Sequence, residues 1–225
     1  MVFCAKTGPH RVVNWEFEVS QGVNELQHCP TVMEVVKCLV LTDEKSALIC
    51  PFYPLTVDVL PPGKCAVSTV LNVASSTLAS IKAFSNIGMC HGDIKPSNLM
   101  LTTDSQHVVL IDFGSAVTFG KTLVSTSSPW GRDCDITGST QYDLTCLASV
   151  IYYLWHGNHL LSITDLLDAD DTSLHILDWF VVKCLTRYGD LDTMKADWAE
   201  KVNIATVETP ELVLVDLAAI WPTNK

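Results

Sequence analysis

The sequence has little charge, and least of the positive sign. Of its 225 residues 17% are charged, and 14 lysines and arginines stand against 25 aspartates and glutamates, for a net charge of −11. It has no local basic patch, so the composition disfavours a nucleic-acid or anionic-membrane partner. The apolar runs are too short to cross a membrane. The start, MVFCAK, has no basic region followed by an apolar one, so no signal peptide is predicted.

Patterns typical of disulfide frameworks and zinc sites are missing too. The nine cysteines are an odd number, and no two have the spacing C-x-x-C. The seven histidines show no metal-ligand spacing. We therefore expect most cysteines to be small buried residues in a reducing compartment. The hydrophobic content of 48% favours a globular chain, large enough for one large domain or two small ones.

A third pattern is missing, the glycine-rich phosphate loop. None of the eleven glycines is spaced G-x-G-x-x-G, and only five residues precede Lys6. Either the sequence begins after such a loop, or the protein lacks the flap that the loop forms over nucleotide phosphates.

The chemistry that the sequence does carry lies in residues 91–114. They read HGDIKPSNLML, then a short polar turn, then VVLIDFG. The apolar run 108–111 predicts a buried strand that ends at Asp112. A tight hairpin can bring Asp112 close to Asp93 and Asn98.

These residue types are the ones that phosphoryl transfer requires. Asp93 can orient the attacking hydroxyl and accept its proton, and Lys95 can reach the transferring phosphoryl group as a point charge. Asn98 and Asp112 supply the oxygen ligands that Mg²⁺ prefers. The segment therefore predicts a nucleotide-phosphate and metal site.

The two motifs resemble those of eukaryotic protein kinases. HGDIKPSN resembles the catalytic loop H-R-D-x-K-x-x-N, and IDFG resembles the metal-binding loop. The resemblance implies an α+β, protein-kinase-like bilobal fold with ATP and Mg²⁺ as cofactors. Gly92 stands where most protein kinases carry an Arg that reads a phosphate on the activation loop, so switching by loop phosphorylation is not expected. H-G-D also occurs in small-molecule phosphotransferases, whereas Lys95 is typical of Ser/Thr protein kinases.

The first residues resemble the kinase strand V-A-I-K, whose lysine grips the ATP phosphates. Lys6 ends the run VFCAK, and it is either that lysine or an exposed lysine at a strand end. A helix is predicted from Val13 to about Leu26. In kinases a glutamate on this helix pairs with the strand lysine, and here Glu16 is the first candidate and Glu18 the second.

Four segments resemble the Bub family of mitotic checkpoint kinases: WEF opening this helix, HGDIKPSN, IDFGSA, and DWF in a late helix. In that register Glu16 is the partner of Lys6. The resemblance implies a spindle-checkpoint role with protein substrates or checkpoint and kinetochore proteins as partners. It also implies a location in the nucleus and cytoplasm, and at kinetochores in mitosis.

Residues 32–39 and 47–50 are predicted to form two strands joined by the polar turn 42–45. Cys50 then lies at the back of the adenine pocket, and the hinge between the lobes follows at residues 51–53. Pro51 has no N–H, so one hinge donor is missing. Phe52 and Tyr53 are predicted to contact ATP, or alternatively to pack between the lobes.

The remainder is predicted to be mainly helical. Helices are expected at residues 65–86, 141–154, 160–168 and 174–185, with an amphipathic end at 198–221, a solvated acidic turn at 168–171 and a loop in the activation-segment position at 115–138. That loop has no recognisable A-P-E. Asp143 is either a helix cap or the acceptor of hydrogen bonds from the catalytic-loop backbone. The predicted structural anchors of the site are His91, Phe113, Gly114 and Asp143.

The expected architecture is a partial small lobe, 1–51, and a hinge with a helical large lobe, 52–225. Three functions remain open. The first is a Ser/Thr protein kinase. The second is a pseudokinase scaffold, suggested by the missing flap, Pro51 and the absent A-P-E. The third is a small-molecule kinase, suggested by H-G-D.

Overall fold

The computed structural model describes residues 2–26, 29–102, 107–123, 130–131, 136–160, 166, 174–186 and 190–208. The helices are α1 (His10–Leu26), α2 (Val67–Asn86), α3 (Thr140–His156), α4 (Ile176–Leu185) and α5 (Leu191–Glu208). The strands are β1 (Phe3–Pro9), β2 (Lys37–Val40), β3 (Lys45–Pro51), β4 (Leu55–Thr56), β5 (Met89–Cys90), β6 (Leu99–Leu101), β7 (Val108–Leu110) and β8 (Val117–Thr118). The predicted helix 160–168, the acidic turn 168–171 and residues 209–221 fall mainly or wholly outside the described residues.

Residues 3–51 form an antiparallel sheet covered by α1. The strand order is β1-β3-β2, and the register sets Lys6 opposite Leu48. Helix α1 buries Val13, Val19 and Val23, which recur at helical spacing on one face. Glu16 lies on this buried face, whereas Glu18 is exposed. The helical period thus decides which glutamate points into the protein.

The structure corrects the strand that was predicted at residues 32–39. The strand begins at Lys37, and residues 32–36 lie outside it. Instead they connect the two sheets. Val32 forms a parallel bridge with Leu110 of the second sheet, and the Met33 N–H donates to the Leu110 carbonyl at 3.0 Å. The Val36 N–H donates to the Ile49 carbonyl of β3 at 2.8 Å. Val32 and Val35 are 3% and 1% exposed. The apolar pattern that suggested a strand reflects burial in the core.

The second sheet is the β6–β7 hairpin with β4 on the outer side of β6. It packs on α2, whose buried hydroxyls bond to neighbouring backbone. Ser76 accepts from the Val108 N–H at 3.0 Å, and Ser80 donates to the Thr31 carbonyl at 2.7 Å. These bonds fix the hairpin that carries the metal-loop residues against the central helix.

Helices α3 and α4 pack beside α2 and enclose the rest of the core. Ser139 is the N-cap of α3, with its Oγ accepting from the Tyr142 N–H at 3.2 Å, and Gly157 ends the helix in the left-handed region at φ 80°. The cap is therefore Ser139, and Asp143 is free for a different contact. None of the described helices is long and apolar enough to cross a membrane.

Candidate active site

Lys6 lies between two carboxylates. Its Nζ donates to both oxygens of Glu16 at 2.8 and 2.9 Å and to Oδ1 of Asp112 at 2.7 Å. The Glu16 side chain is 1% exposed, whereas those of Lys6 and Asp112 are 41% and 43% exposed. The network joins β1, α1 and the segment after β7, and it uses all three donors of the ammonium group. The structure thus pairs Lys6 with Glu16 and not with Glu18.

The three charges shift one another's pKa values. Burial raises the pKa of Glu16, against the opposing effect of the Lys6 ammonium. Burial alone would also raise the pKa of Asp112, but the hydrogen bond and charge of Lys6 outweigh it and hold that pKa below its usual value. Burial tends to lower the pKa of Lys6, yet its bonds to Asp112 and Glu16 raise it. The network therefore joins one ammonium group to two carboxyl groups whose pKa values shift in opposite directions.

The second group of predicted site residues surrounds Asp93. Lys95 Nζ donates to Asp93 Oδ2 at 2.8 Å, and Asn98 Nδ2 donates to the same oxygen at 3.0 Å and to the Asp93 carbonyl at 2.9 Å. Asp93 is 9% exposed. These bonds hold the carboxylate in one orientation. A base that must accept a proton from a substrate hydroxyl needs such fixed geometry.

The hairpin register brings Asn98 towards Asp112. Leu99 pairs with Leu110, and the Ile111 N–H donates to the Asn98 carbonyl at 3.0 Å, so Asn98 and Asp112 flank one end of the β6–β7 ladder. One carboxylate and one amide oxygen suit Mg²⁺, which takes few protein ligands and completes its shell with water and phosphate. In the described parts of the chain no three His, Cys, Asp or Glu side chains form a metal-binding group. The donor set therefore fits Mg²⁺ held jointly with nucleotide phosphates.

Asp112 has an unusual backbone. It lies in the left-handed region at φ 65° and ψ 77°, the only described non-glycine residue with positive φ. A Cβ on Gly114, two residues after Asp112, would lie 3.3 Å from Glu16 Oε1 and 3.4 Å from Asp112 Oδ1. Backbone strain of this kind persists where the surroundings impose it. Here the short residue Gly114 leaves room for the carboxylates that meet at Lys6.

Asp143 anchors the catalytic loop. Its two carboxylate oxygens accept the backbone N–H groups of His91 at 2.7 Å and Gly92 at 2.9 Å. The side chain is buried, and this burial raises the pKa of Asp143 to about 7 against the two hydrogen bonds, which lower it. Gly92 has φ +77°, and a Cβ there would lie 2.8 Å from the Ser115 carbonyl oxygen. The backbone at this position therefore suits glycine and disfavours the arginine of most protein kinases.

Three aromatic rings link the catalytic loop to the metal loop. The centroids of His91 and Phe113 are 6.0 Å apart, and Phe84 of α2 lies 5.5 Å from each, all in edge-on arrangements. His91 also bonds through Nε2 to the Ile111 carbonyl at 3.0 Å. Burial lowers the pKa of His91, so the ring is neutral at physiological pH. The sequence predicted His91 and Phe113 as anchors but missed Phe84, which shows in the sequence only as one more apolar position of α2.

A second contact that the sequence did not reveal joins α1 to the residues after the metal loop. The Trp15 Nε1–H donates to the Ala116 carbonyl at 3.0 Å. The tryptophan of the WEF segment thus bonds to the alanine of IDFGSA. This contact adds to the Glu16–Lys6 pair in holding α1 against the site.

The three predicted adenine-side residues are less closely gathered. Cys50 is 4% exposed, and Phe52 is 51% exposed. The Phe52 N–H donates to the Val2 carbonyl at 2.9 Å, so this amide is already engaged in strand pairing. Tyr53 is partly buried, and this burial raises the pKa of its hydroxyl. At residues 51 and 52 the hinge backbone thus offers adenine no free N–H in this state.

The fold is that of a protein kinase, as the comparison with solved structures shows. The chain is similar to vaccinia-related kinase 3, with a TM-score of 0.65 at 13% identity over 92% of this chain and 80% of that one. It is also similar to the Cydia pomonella granulovirus kinase, with a TM-score of 0.63 at 13% identity over 86% of this chain and 79% of that one.

The sequence comparison covers a smaller part of the chain. A Caenorhabditis elegans protein named as a casein kinase I is 32% identical over 85 residues, which are 36% of this chain and 25% of that protein. The match thus spans about a quarter of that relative's length. No family model matches the sequence. The α+β kinase-like fold predicted from the motifs is confirmed.

Proposed function

We propose that this chain is a Ser/Thr protein kinase domain that transfers the γ-phosphate of ATP to a protein hydroxyl. The observation that carries the proposal is the joint geometry of two clusters: Lys6 held by Glu16 and Asp112, and Asp93 held by Lys95 and Asn98. Both lie on a kinase-like fold, joined by the β6–β7 hairpin.

Each group has a role that follows from its chemistry. Asp93 orients the substrate hydroxyl and accepts its proton as the bond to phosphorus forms. Lys95, already in contact with Asp93, offers positive charge to the transferring phosphoryl group. Lys6 binds the phosphates of ATP, and Glu16 holds the ammonium in place.

Asn98 and Asp112 would hold Mg²⁺, which when bound neutralises charge on the phosphates. In the structure Lys6 bonds to Asp112. When a nucleotide binds, Lys6 would give up part of this contact to bind phosphate, and Asp112 would give it up to bind the cation.

Thermal unfolding with and without millimolar Mg-ATP tests the site. Ligand at one hundred times its dissociation constant stabilises the folded state by about 2.7 kcal/mol. For a chain of this size the midpoint rises by about 5–10 °C. A radiolabel-transfer assay on a Ser/Thr peptide library should then show incorporation that Asp93→Asn abolishes. A magnesium-dependent shift without transfer to peptides would refute the kinase assignment. Transfer to a small metabolite instead would favour the small-molecule phosphotransferase.

A second candidate function is a pseudokinase scaffold, and the hinge is the observation that favours it. Pro51 has no N–H, and the Phe52 N–H is bonded to the Val2 carbonyl, so neither residue has a free N–H to donate to adenine. The scaffold predicts no thermal shift with Mg-ATP at any concentration below several millimolar. The kinase predicts a shift that Asp112→Asn removes.

The proposed cellular role is that of a Bub-like checkpoint kinase, and it is supported by sequence motifs alone. The contact of Trp15 with Ala116 is consistent with it, because it joins two of the motifs on which the resemblance rests. The role would place the protein in the nucleus and cytoplasm, and at kinetochores in mitosis, bound to checkpoint proteins. Imaging of the tagged protein in cells arrested with unattached kinetochores tests this, and a diffuse signal there would refute it.

A further inference from the structure

Two thiols face each other across the first sheet. The antiparallel register of β1 and β3 sets Cys4 directly opposite Cys50, and their Sγ atoms are 3.4 Å apart. Directly opposed residues in such a pair have Cα atoms about 4.5–5.5 Å apart, within the range that disulfides span. The two sulfurs need to approach only to about 2.05 Å to bond. The backbone therefore already has the separation of a cross-strand disulfide.

The two thiols differ in access to solvent. Cys4 is exposed, whereas Cys50 is buried at 4% exposure. Burial, together with the neighbouring Cys4 thiol, raises the pKa of Cys50 to about 12. A soluble oxidant thus meets Cys4 first, and Cys50 stays a thiol that can attack the product.

The pair adjoins the proposed phosphate clamp. Cys4 and Lys6 are two residues apart on β1, so their side chains lie on the same face of the strand. Cys50 directly precedes Pro51 and the predicted hinge. A bond between the thiols would therefore act on the strand that positions the Lys6 ammonium against Glu16 and Asp112.

We propose that Cys4 and Cys50 form a redox-sensitive dithiol site, which a hydroperoxide converts to a disulfide that weakens Mg-ATP binding. The effect on the nucleotide rests on the proposed function, whereas the disulfide itself does not. In the structure neither Cys4 nor Cys50 is in a disulfide.

The reaction balances as follows. The Cys4 thiolate attacks the O–O bond of hydrogen peroxide, a sulfenic acid forms, and hydroxide leaves and takes up a proton to become water. The Cys50 sulfur then attacks the sulfenic sulfur as its proton passes to the sulfenic hydroxyl, so the S–S bond forms, the S–O bond breaks and a second water leaves. Two thiols are oxidised by two electrons and one peroxide is reduced to two waters.

Bond formation moves the two sulfurs together by about 1.4 Å, from the observed 3.4 Å to the usual disulfide length. Because the backbone already has the separation of a disulfide, this movement is mainly rotation of the two side chains, and the bond then ties β1 to β3 two residues before Lys6. Lys6 has to give up its bond to Asp112 when it binds phosphate, and the cross-link restrains this change. Coupling between two sites is typically about 5–150-fold, so we expect Mg-ATP to bind about tenfold more weakly after oxidation.

Peptide mapping tests the disulfide directly. Trypsin places Cys4 in residues 1–6, Cys50 in 46–64 and Cys38 in 38–45, one cysteine each. After limited peroxide treatment and alkylation, mass spectrometry should find peptides 1–6 and 46–64 linked, two hydrogens lighter than their sum. Dithiothreitol should abolish the link, and Cys4→Ser should prevent it. Cys38→Ser is the matched control: Cys38 is partly buried on the same sheet, lies opposite Leu48, and its removal should leave the link intact.

Calorimetric titration of the reduced and oxidised protein with Mg-ATP tests the consequence. Affinity should fall about tenfold on oxidation of the wild type and the Cys38→Ser variant, recover with dithiothreitol, and stay constant in Cys4→Ser. Absence of the linked peptide while Cys38 is oxidised would overturn the site. A quantitative link with unchanged affinity would overturn its control of nucleotide binding. If reduced protein binds no Mg-ATP, the proposed function and the nucleotide effect fail together, and the linked peptide still decides the disulfide.

Discussion

Replacement of Lys6 by Met removes the ammonium but keeps much of its apolar stem. Glu16, 1% exposed, then has a buried carboxylate without its cation, beside the like charge of Asp112. Breaking a fully buried ion pair costs about 3–5 kcal/mol. Exposed pairs contribute only about 0–1 kcal/mol. Since Lys6 and Asp112 are 41% and 43% exposed, we expect a loss of about 2 kcal/mol in the free energy of unfolding, or about 4–8 °C.

The loss should depend on pH with a defined sign. Burial already raises the pKa of Glu16, and removal of Lys6 raises it further. A carboxylate whose folded pKa lies above its unfolded one stabilises the fold fully below the unfolded value and loses this contribution as pH rises through the folded value. The Lys6→Met deficit should therefore be smallest near the unfolded pKa of Glu16, in the acid range, grow as pH rises towards neutral, and shrink again as pH rises through the raised pKa of Lys6, where the wild type loses the ammonium charge.

Urea unfolding of the wild type, Lys6→Met and the double variant Lys6→Met/Glu16→Gln measures these differences. The double variant should regain about 1 kcal/mol, because the neutral amide is less costly to bury. Lys45→Met, an exposed lysine at the start of β3, is the control and should stay within about 0.5 kcal/mol of the wild type. If Lys6→Met matched this control at every pH, the ion-pair network would not stabilise the fold as argued.

Three further variants test other parts of the site. Asp112→Asn should abolish magnesium-dependent ATP binding, and calorimetry showing unchanged affinity with and without Mg²⁺ would refute the metal assignment. Asp143→Ala leaves the buried N–H groups of His91 and Gly92 without acceptors, which should cost about 1–3 kcal/mol each at most and speed amide hydrogen exchange at both residues. Gly92→Arg places a Cβ at 2.8 Å from the Ser115 carbonyl in a left-handed backbone, so thermal unfolding should show destabilisation by about 1–3 kcal/mol; an unchanged midpoint would contradict the strain argument.

The site combines rigid and adjustable parts. Asp93 is held by Lys95, Asn98 and a loop whose backbone is anchored on Asp143. Lys6, by contrast, is more than a third exposed and bonds to Asp112, which a bound cation would need. The base is thus preorganised, whereas Lys6 and Asp112 would have to rearrange when nucleotide binds. We therefore expect changes at β1 to affect nucleotide affinity more than they affect the orientation of Asp93.

Much of the candidate site could be predicted from the sequence because its determinants are local. The motif around Asp93 and the strand before Asp112 lie within 24 residues, and a hairpin is the simplest way to join them. The pairing of Lys6 with Glu16 and not Glu18 follows from the helical period of α1, which buries Val13, Val19 and Val23 on the face of Glu16. The kinase-like fold was implied by the resemblance of these motifs to those of protein kinases.

Other features were decided only by tertiary structure. An apolar run such as the one that contains Val32 is typical of a strand and also of a buried connecting segment. Only the bridge between Val32 and Leu110 shows which of the two it is. Phe84 gives no special signal in the sequence, and the WEF motif that contains Trp15 does not reveal its bond to Ala116, because the partners of both residues lie far along the chain. The facing thiols of Cys4 and Cys50 depend on strand register, which contacts spread over the whole sheet determine. Local pattern thus specified the chemistry of this protein, whereas long-range packing specified which groups meet.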